Sequence, residues 1–554
     1  MTSRLDEPMN EIRHIFRHAR EIFPDIRSIT AATCVYWIEG GNRTMATVIR
    51  SLGIAGIGGY PLGVEVAIIA GLPGTTIVGL GDSAVKEAKD RMEACTEVLG
   101  YAYPTRKVVV NLSPSDIRKR GAYLDLPMLV GMLIESAQVV PRKDGWEETA
   151  MVGGISTTGK LVGFGGVLPM AIQARKMGWK RLVVPIGCAD EASLVSDIEI
   201  LACRTVGEVV AYLEGRLHIG SHRREGSRGP SEQQAKGGDY SDVVGHEEIL
   251  PYLAAAVAGN HNLLLVGLPG SGKSMMARLL PTILPPMDDD EILEVSSIYS
   301  IAGELDGQEL MSARPFRSPH YNMSSNALIG GGPNATPGEV TLAHRGILFL
   351  DELPEFSRKT LESLRLPLED RRVTISRVNQ TNRYPADFML VAAMNPCPCG
   401  YGGTNRCECT PYAIRTYRQR VSGPVLDRID MQKYVGRVEF SDGHLMSGTV
   451  SSAQLRGMVM QARGRQSHRF GDDGIATNSE MDSSHLRRYC TLDDDCAALL
   501  QRTYERDHLS VRARYKTIRL ARTFADIDGS DRIGRPHLLH ALFSRDLERG
   551  MHHA

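Results

Sequence analysis

Asn262-Leu-Leu-Leu-Val266-Gly267-Leu268-Pro269-Gly270-Ser271-Gly272-Lys273-Ser274 is the stretch on which the fold turns. The short apolar run after Asn262 fits a buried strand. It feeds Gly-x-x-x-x-Gly-Lys-Ser, and Met275–Leu280 continue as a helix. Between a strand and a helix, that pattern is a phosphate-binding loop. Its glycines let backbone N–H groups turn inward around phosphates, and the start of the helix adds partial positive charge. Residues Gly267, Leu268, Pro269, Gly270, Ser271 and Gly272 form the cradle. Lys273 can reach the β- and γ-phosphates of ATP, and the Ser274 hydroxyl can take Mg²⁺.

Working outward, Gly346-Ile-Leu-Phe-Leu-Asp351-Glu352 is a second apolar strand, tipped by two acids. Asp351 suits Mg²⁺ and Glu352 suits polarising the attacking water; a capping role for Glu352 is the bland alternative. A third strand, Phe388–Met394, ends at Asn395, which can orient that water or simply serve a strand-end turn. Downstream, Gly423-Pro-Val-Leu-Asp-Arg428-Ile-Asp430 offers Arg428, either as an arginine finger to a neighbouring subunit's nucleotide or as a surface ion pair. Arg512 begins an Arg-rich helix, Arg512–Ile527, and could close over the phosphates from a lid, with Arg514 a competing choice.

The rest of the chain arranges itself around this core. Residues 1–44 read as an extension with a polar helix, Asn10–Phe23. Residues 45–217 alternate strands (Val64–Ala70, Thr76–Val78, Lys107–Leu112, Arg181–Pro185) with helices (Ser83–Leu99, Leu126–Gln138, Leu168–Met177). Residues 218–238 are rich in glycine, serine and charge, as a linker is. The phosphate-loop domain spans 239–440, and a helical domain spans 452–547. The expected fold class is multidomain α/β.

These motifs together resemble the magnesium-chelatase-like AAA+ family related to the competence protein ComM, also called the YifB family. The resemblance runs from Met45 to about Leu547 and rests on several motifs. They include Gly71-Leu-Pro-Gly, Val110-Asn-Leu-Ser-Pro, Phe316-Arg-Ser-Pro-His320, Leu342-Ala-His-Arg-Gly and Met394-Asn-Pro-Cys-Pro-Cys-Gly. It implies a central AAA+ αβα domain, a C-terminal helical lid, and a homohexameric ring with ATP sites between subunits. Related proteins are branch-migration helicases on recombining DNA. His246 stands where the family often has Gln, at the position of the contact near the adenine. The N-terminal domain resembles ribosomal protein S5 domain 2 and Lon-type peptidases. The Ser–Lys dyad of such a peptidase is missing, because Tyr123 and Leu168 stand at its positions.

Two further features could carry function. Cys397, Cys399, Cys407 and Cys409 crowd one glycine-rich loop; structural Zn²⁺, unligated thiols and a redox pair all stay open. Cys34, Cys95, Cys188, Cys203, Cys490 and Cys496 are scattered. The second feature is a hairpin, Glu369–Arg383, whose Arg371, Arg372, Arg377 and Arg383 could grip phosphates in a ring pore. The alternative is a solvated face with Arg372 or Arg377 paired to Glu369 or Asp370. The insert Phe316–Ala335, with His320 and Tyr321, is a second candidate contact.

Composition narrows the function classes. A formal net charge of -1 gives no global pull on nucleic acid, so any DNA surface is a local patch. No apolar stretch is long enough to span a membrane, and the charged start lacks a signal peptide's apolar core, which predicts a cytoplasmic protein. The leading expectation is a DNA-remodelling ring ATPase, a helicase or branch migrator acting on branched or single-stranded DNA. The alternatives are a motor for metal insertion into a tetrapyrrole, against which the S5-like domain argues, and an ATP-dependent partner-binding switch.

Overall fold

The computed structural model describes residues 46–119, 121–142, 146–222, 238–305, 310–332, 336–377, 380–437, 450–471, 473–506 and 510–546. The helix expected at Asn10–Phe23, Cys34 and most of the expected linker lie outside them. No helix among the described residues is long and apolar enough to cross a membrane.

The first strands, β1 (Thr47–Ala55) and β2 (Gly58–Ile69), form an antiparallel hairpin. Beyond them come β3 (Gly74–Val78), α1 (Ser83–Val98) and β4 (Lys107–Ser113), giving a sheet of order β1-β2-β4-β3 in which only β3 and β4 run parallel. Helix α2 (Asp125–Glu135) packs on β1 and β2 with nine consecutive buried residues, Asp125 to Leu133. Its first residue, Asp125, is buried but takes the Arg91 guanidinium at 2.7 Å, so the buried carboxylate is paired. A second, parallel sheet joins β5 (Thr149–Met151), β6 (Arg181–Pro185) and β7 (Glu199–Cys203), with α3 (Val167–Lys176) before β6 and α4 (Val206–Leu213) after β7.

The four expected strands fall on β2, β3, β4 and β6, with Val64–Ala70 running one residue past the end of β2, and the three expected helices match α1, α2 and α3 to within a few residues. β1 escaped the sequence reading. Its apolar alternation is broken by Ser51 and Gly53, yet both are required where they sit. The buried Ser51 hydroxyl donates to the Met151 carbonyl at 2.9 Å. Gly53 lies opposite Tyr60, and a Cβ there would fall 2.3 Å from the ring.

The central part is built on helix α5 (Leu250–Gly259), strand β8 (Leu263–Gly267) and helix α6 (Lys273–Leu279). Next come α7 (Asp289–Ala302), β9 (Phe316–Arg317) and β10 (Ile347–Leu350). The hairpin β11 (Arg372–Arg377) and β12 (Gln380–Pro385), strand β13 (Met389–Met394), helix α8 (Pro411–Gln419) and strand β14 (Met431–Val435) complete it. Five strands form one all-parallel sheet in the order β9-β10-β13-β8-β14. β8, β10 and β13 are buried along their whole length, which explains their unbroken apolar runs. The mixed α/β class with a parallel sheet is therefore as expected.

Asn262 ties the starts of three strands together. Its amide N–H donates to Asp430 at 2.9 Å, its side-chain NH₂ to the Arg428 carbonyl at 3.0 Å, and its Oδ1 accepts the Leu390 N–H at 2.8 Å. The Asn262 carbonyl also accepts the Met431 N–H at 3.0 Å.

The C-terminal helices are α9 (Ser452–Phe470), α10 (Ser483–Tyr489), α11 (Asp494–Arg506), α12 (Val511–Ile527) and α13 (Arg535–Phe543). α9 starts on a capping box between Ser451 and Gln454. α9 and α12 pack on α5. Lys516 of α12 is buried and reaches Asp430 and the Ile429 carbonyl, both at 3.2 Å, so these helices dock at the strand-start end of the sheet.

Candidate nucleotide site

In a parallel sheet, ligands gather at the carboxyl ends of the strands. Here that end presents the loop after β8, the acids after β10 and Asn395 after β13. Gly270 and Gly272 take left-handed φ of 76° and 82°, which a side chain would resist. Lys273 Nζ donates to the Gly267 and Leu268 carbonyls at 2.8 Å each and to Asn395 Oδ1 at 3.3 Å. Burial lowers its pKa, and the Asp351 charge opposes that shift. Ser274 Oγ donates to Asp351 Oδ2 at 2.8 Å, so the two expected Mg²⁺ ligands already meet. The buried Ser271 hydroxyl has no protein partner, an orphan that a phosphate oxygen at the loop would satisfy. These features fit a nucleoside triphosphate with Mg²⁺.

The strand order explains Asn395. β13 lies between β8 and β10, so its tip falls between Lys273 and the two acids. Glu352 is exposed and left-handed at φ 52°, and its N–H donates to Asp351 Oδ1 at 3.0 Å. His246, half-buried, lies beside the loop: a Cβ on Gly272 would fall 3.5 Å from its Nε2. Burial lowers the His246 pKa and favours the neutral ring.

Arg428 and Arg512 sit elsewhere. Arg428 precedes β14, at the strand-start end, opposite the phosphate loop. Its guanidinium pairs with Glu369 and donates to the Arg365 carbonyl at 3.0 Å and the Pro424 carbonyl at 2.8 Å. Arg512 joins it, bonding Asp427 at 2.9 Å and the same Glu369 at 3.3 Å. Both line a cleft between the sheet and the C-terminal helices. Arg512, expected to close over phosphates from a lid, thus lies within this chain beside Arg428 and away from the phosphate loop. α12 docks on the 427–430 loop through Lys516, which carries Arg512 to the far end of the sheet. Arg514 turns away, to Gln501 at 3.4 Å and over the Tyr504 ring.

Comparison with known proteins gives consistent results. Residues 239–442 match a family model described as magnesium chelatase, subunit ChlI; residues 64–187 match subunit ChlI of Mg-chelatase; residues 449–545 match its C-terminal model. YifB of Escherichia coli strain K12 is 39% identical over 92% of this chain and 98% of its own. Competence protein ComM of Haemophilus influenzae is 38% identical over 88% of this chain and 94% of its own. The chain belongs to the ComM/YifB-like, magnesium-chelatase-like family. The magnesium-chelatase 38 kDa subunit of Rhodobacter capsulatus is a more distant likeness, 24% identical over 54% of this chain and 84% of its own. As a member of the ChlI/ComM family the chain is an AAA+-type ATPase.

Other residues of this ComM-like ATPase refine the sequence reading. Tyr123 and Leu168 are both buried in the N-terminal core, Tyr123 against the Phe164 ring at 5.3 Å. The Leu168 N–H donates to Glu191 at 3.1 Å, and Glu191 also takes the Ser300 hydroxyl of α7. On the hairpin, Val373 and Ile375 are buried while Arg372, Thr374 and Arg383 are exposed on the other face. Arg371 is not on that face: it bonds Asp387 and Glu480 at 3.1 Å each. Glu369, a possible partner of Arg372 or Arg377 on the solvated-face alternative, is taken by Arg428 and Arg512. The side chain of Arg377 lies outside the described residues. His320 stacks on Tyr321 with ring centroids 4.2 Å apart.

The four loop cysteines converge. Their sulfurs all lie within 4.8 Å of one another, an arrangement that could hold a metal ion. Burial pushes the Cys397 thiol up to about 12, while the Tyr401 backbone N–H, and then Cys397, pull Cys399 down to about 6. The remaining described cysteines are free and buried.

Proposed function

We propose that this ATPase is a cytoplasmic ring motor, a homohexamer, that remodels branched or single-stranded DNA as a branch-migration helicase. The observation that carries this reading is the hairpin β11–β12. It lies in the chain between β10, which bears Asp351 and Glu352, and β13, which bears Asn395, and it turns Arg372 and Arg383 outward. A motor needs sequence-independent phosphate contacts linked to the site that senses the γ-phosphate, and arginines on such a hairpin supply them. Likeness to a protein named for competence supports the same reading.

The division of labour follows from the residues. Lys273 and the loop N–H groups hold the β- and γ-phosphates, and Ser274 and Asp351 hold Mg²⁺, which neutralises phosphate charge when bound. Glu352 draws the proton of the attacking water and Asn395 orients that water. Arg428 reaches the nucleotide of a neighbouring copy, and Arg512 assists it there, a reading supported by the Glu369 they share. Residues 239–440 are the motor and 452–547 its helical lid; 45–217 are an S5-like domain without peptidase chemistry, preceded by the extension 1–44 and followed by the linker 218–238. The four thiols take structural Zn²⁺ in preference to standing as free or redox-paired cysteines.

Metal insertion into a tetrapyrrole is the competing reading. Residues 64–187 match a model named for the chelatase subunit, so the N-terminal domain no longer discriminates between the two. ATP hydrolysis measured against added DNA does. Branched or single-stranded DNA is expected to raise the rate at low salt, and the effect is expected to fade as salt rises. A rate indifferent to every DNA form, but responsive to a tetrapyrrole-binding partner, would move the assignment to the chelatase reading.

A further inference from the structure

The cysteine loop leaves β13 directly after Asn395 and returns to touch the phosphate loop. A Cβ placed on Gly400 would fall 2.6 Å from Pro269 Cγ, 3.0 Å from Pro269 Cδ and 4.0 Å from Asn395 Nδ2. Gly400 takes φ 85°, so the close approach and the backbone both demand glycine. Gly402 leans on the other side of the turn, where a Cβ would lie 3.2 Å from both Pro396 Cβ and Cys397 Sγ. The Pro396 carbonyl accepts the Arg418 Nε–H at 3.3 Å, which anchors the turn to α8.

The sulfur spacing is that of a tetrathiolate. Zn–S bonds of about 2.3 Å set the edges of a tetrahedron at roughly 3.8 Å. Cys397 to Cys407 and Cys399 to Cys407 are both 3.8 Å, and Cys397 to Cys399 is 3.3 Å. One ion held by all four sulfurs would join the two ends of the turn whose middle, Gly400, lies against Pro269. The turn's own bonds are local to it: Gly400 N–H to the Cys397 carbonyl at 3.0 Å, Thr404 N–H and hydroxyl to the Tyr401 carbonyl at 3.1 and 2.8 Å, and Cys407 N–H to the Thr404 carbonyl at 3.1 Å.

We propose that Zn²⁺ bound by Cys397, Cys399, Cys407 and Cys409 holds Gly400 against Pro269, so that metal occupancy sets the shape of the phosphate loop and with it the affinity for nucleotide. The inference rests on the phosphate-loop reading of residues 267–274. It makes the cysteine site a control point, beyond a staple for its own loop.

The test compares zinc content and nucleotide affinity in the full chain. Elemental analysis is expected to find about one zinc per chain in protein prepared without chelator. Chelation, or Cys399→Ser, is expected to lower affinity for a fluorescent ATP analogue about tenfold or more, the scale on which a small misplacement acts. Gly400→Ala is expected to keep the zinc and still lose affinity, which separates the contact from the metal itself. Zinc-loaded and zinc-free chains that bind the analogue equally overturn the inference alone, as does protein that takes up no zinc even when it is supplied. A zinc-loaded chain that binds no nucleotide overturns the phosphate-loop reading and the inference with it.

Discussion

Glu352 occupies a backbone region that a non-glycine residue enters at about 1–2 kcal/mol. Strain of this kind persists where neighbours over-determine it, here through the Asp351 carboxylate on the Glu352 N–H. The result is a carboxylate turned off the strand axis, exposed beside the candidate metal ligands. Replacing Glu352 by Gln should leave ATP-analogue binding intact and slow hydrolysis by about 10²-fold or more, read as phosphate release. Lys273→Ala should instead abolish binding in an equilibrium titration. Hydrolysis at the wild-type rate in Glu352→Gln would remove Glu352 from its role. Glu352 was legible in the sequence because it follows a strand end, where apolar run and polar tip are adjacent in the chain, and Lys273 because the glycine loop after a strand leads straight into its helix. Arg512 and Arg371 were not. Their partners, Asp427 and Glu369 for one and Asp387 and Glu480 for the other, are distant in sequence or reached only through helix docking.

Among the elements, the hairpin β11–β12 shows how far a period of two can be read. Val373 and Ile375, two apart, are both buried, and by the same alternation Arg372 faces outward. The alternation could not say that Arg371, one residue earlier, ends a helix in a left-handed turn and points into an ion-pair cluster instead. Replacing Arg372 and Arg383 together by Ala should therefore abolish stimulation of ATP hydrolysis by DNA and leave basal hydrolysis nearly unchanged. Arg371→Ala should lower stability, seen as an earlier thermal transition, because it breaks a half-buried network. DNA stimulation that survives the double substitution would move the DNA contact off this hairpin. The same logic explains β1: Ser51 and Gly53 answer to a carbonyl on β5 and a ring on β2, and neither demand is written locally.

For the whole molecule, the decisive fact is the distance between function and partner along one sheet. The phosphate loop follows the end of β8, whereas Arg428 hangs at the start of β14, tied there through Asn262. Arg428→Ala and Lys273→Ala chains should each hydrolyse little ATP alone, yet a mixture should regain activity, since an intact loop can meet an intact arginine across their boundary. Mixed assemblies, shown to form and still inactive, would count against the finger. A subunit with its socket at one end and its plug at the other has a head and a tail. In a head-to-tail contact, the plug of one copy would enter the socket of the next. Copies joined this way would queue in one direction, and an open queue would strand one unused plug and one unserved socket. In the proposed ring every site would become whole only when the last copy meets the first, so closure of the circle would itself be a condition for full activity.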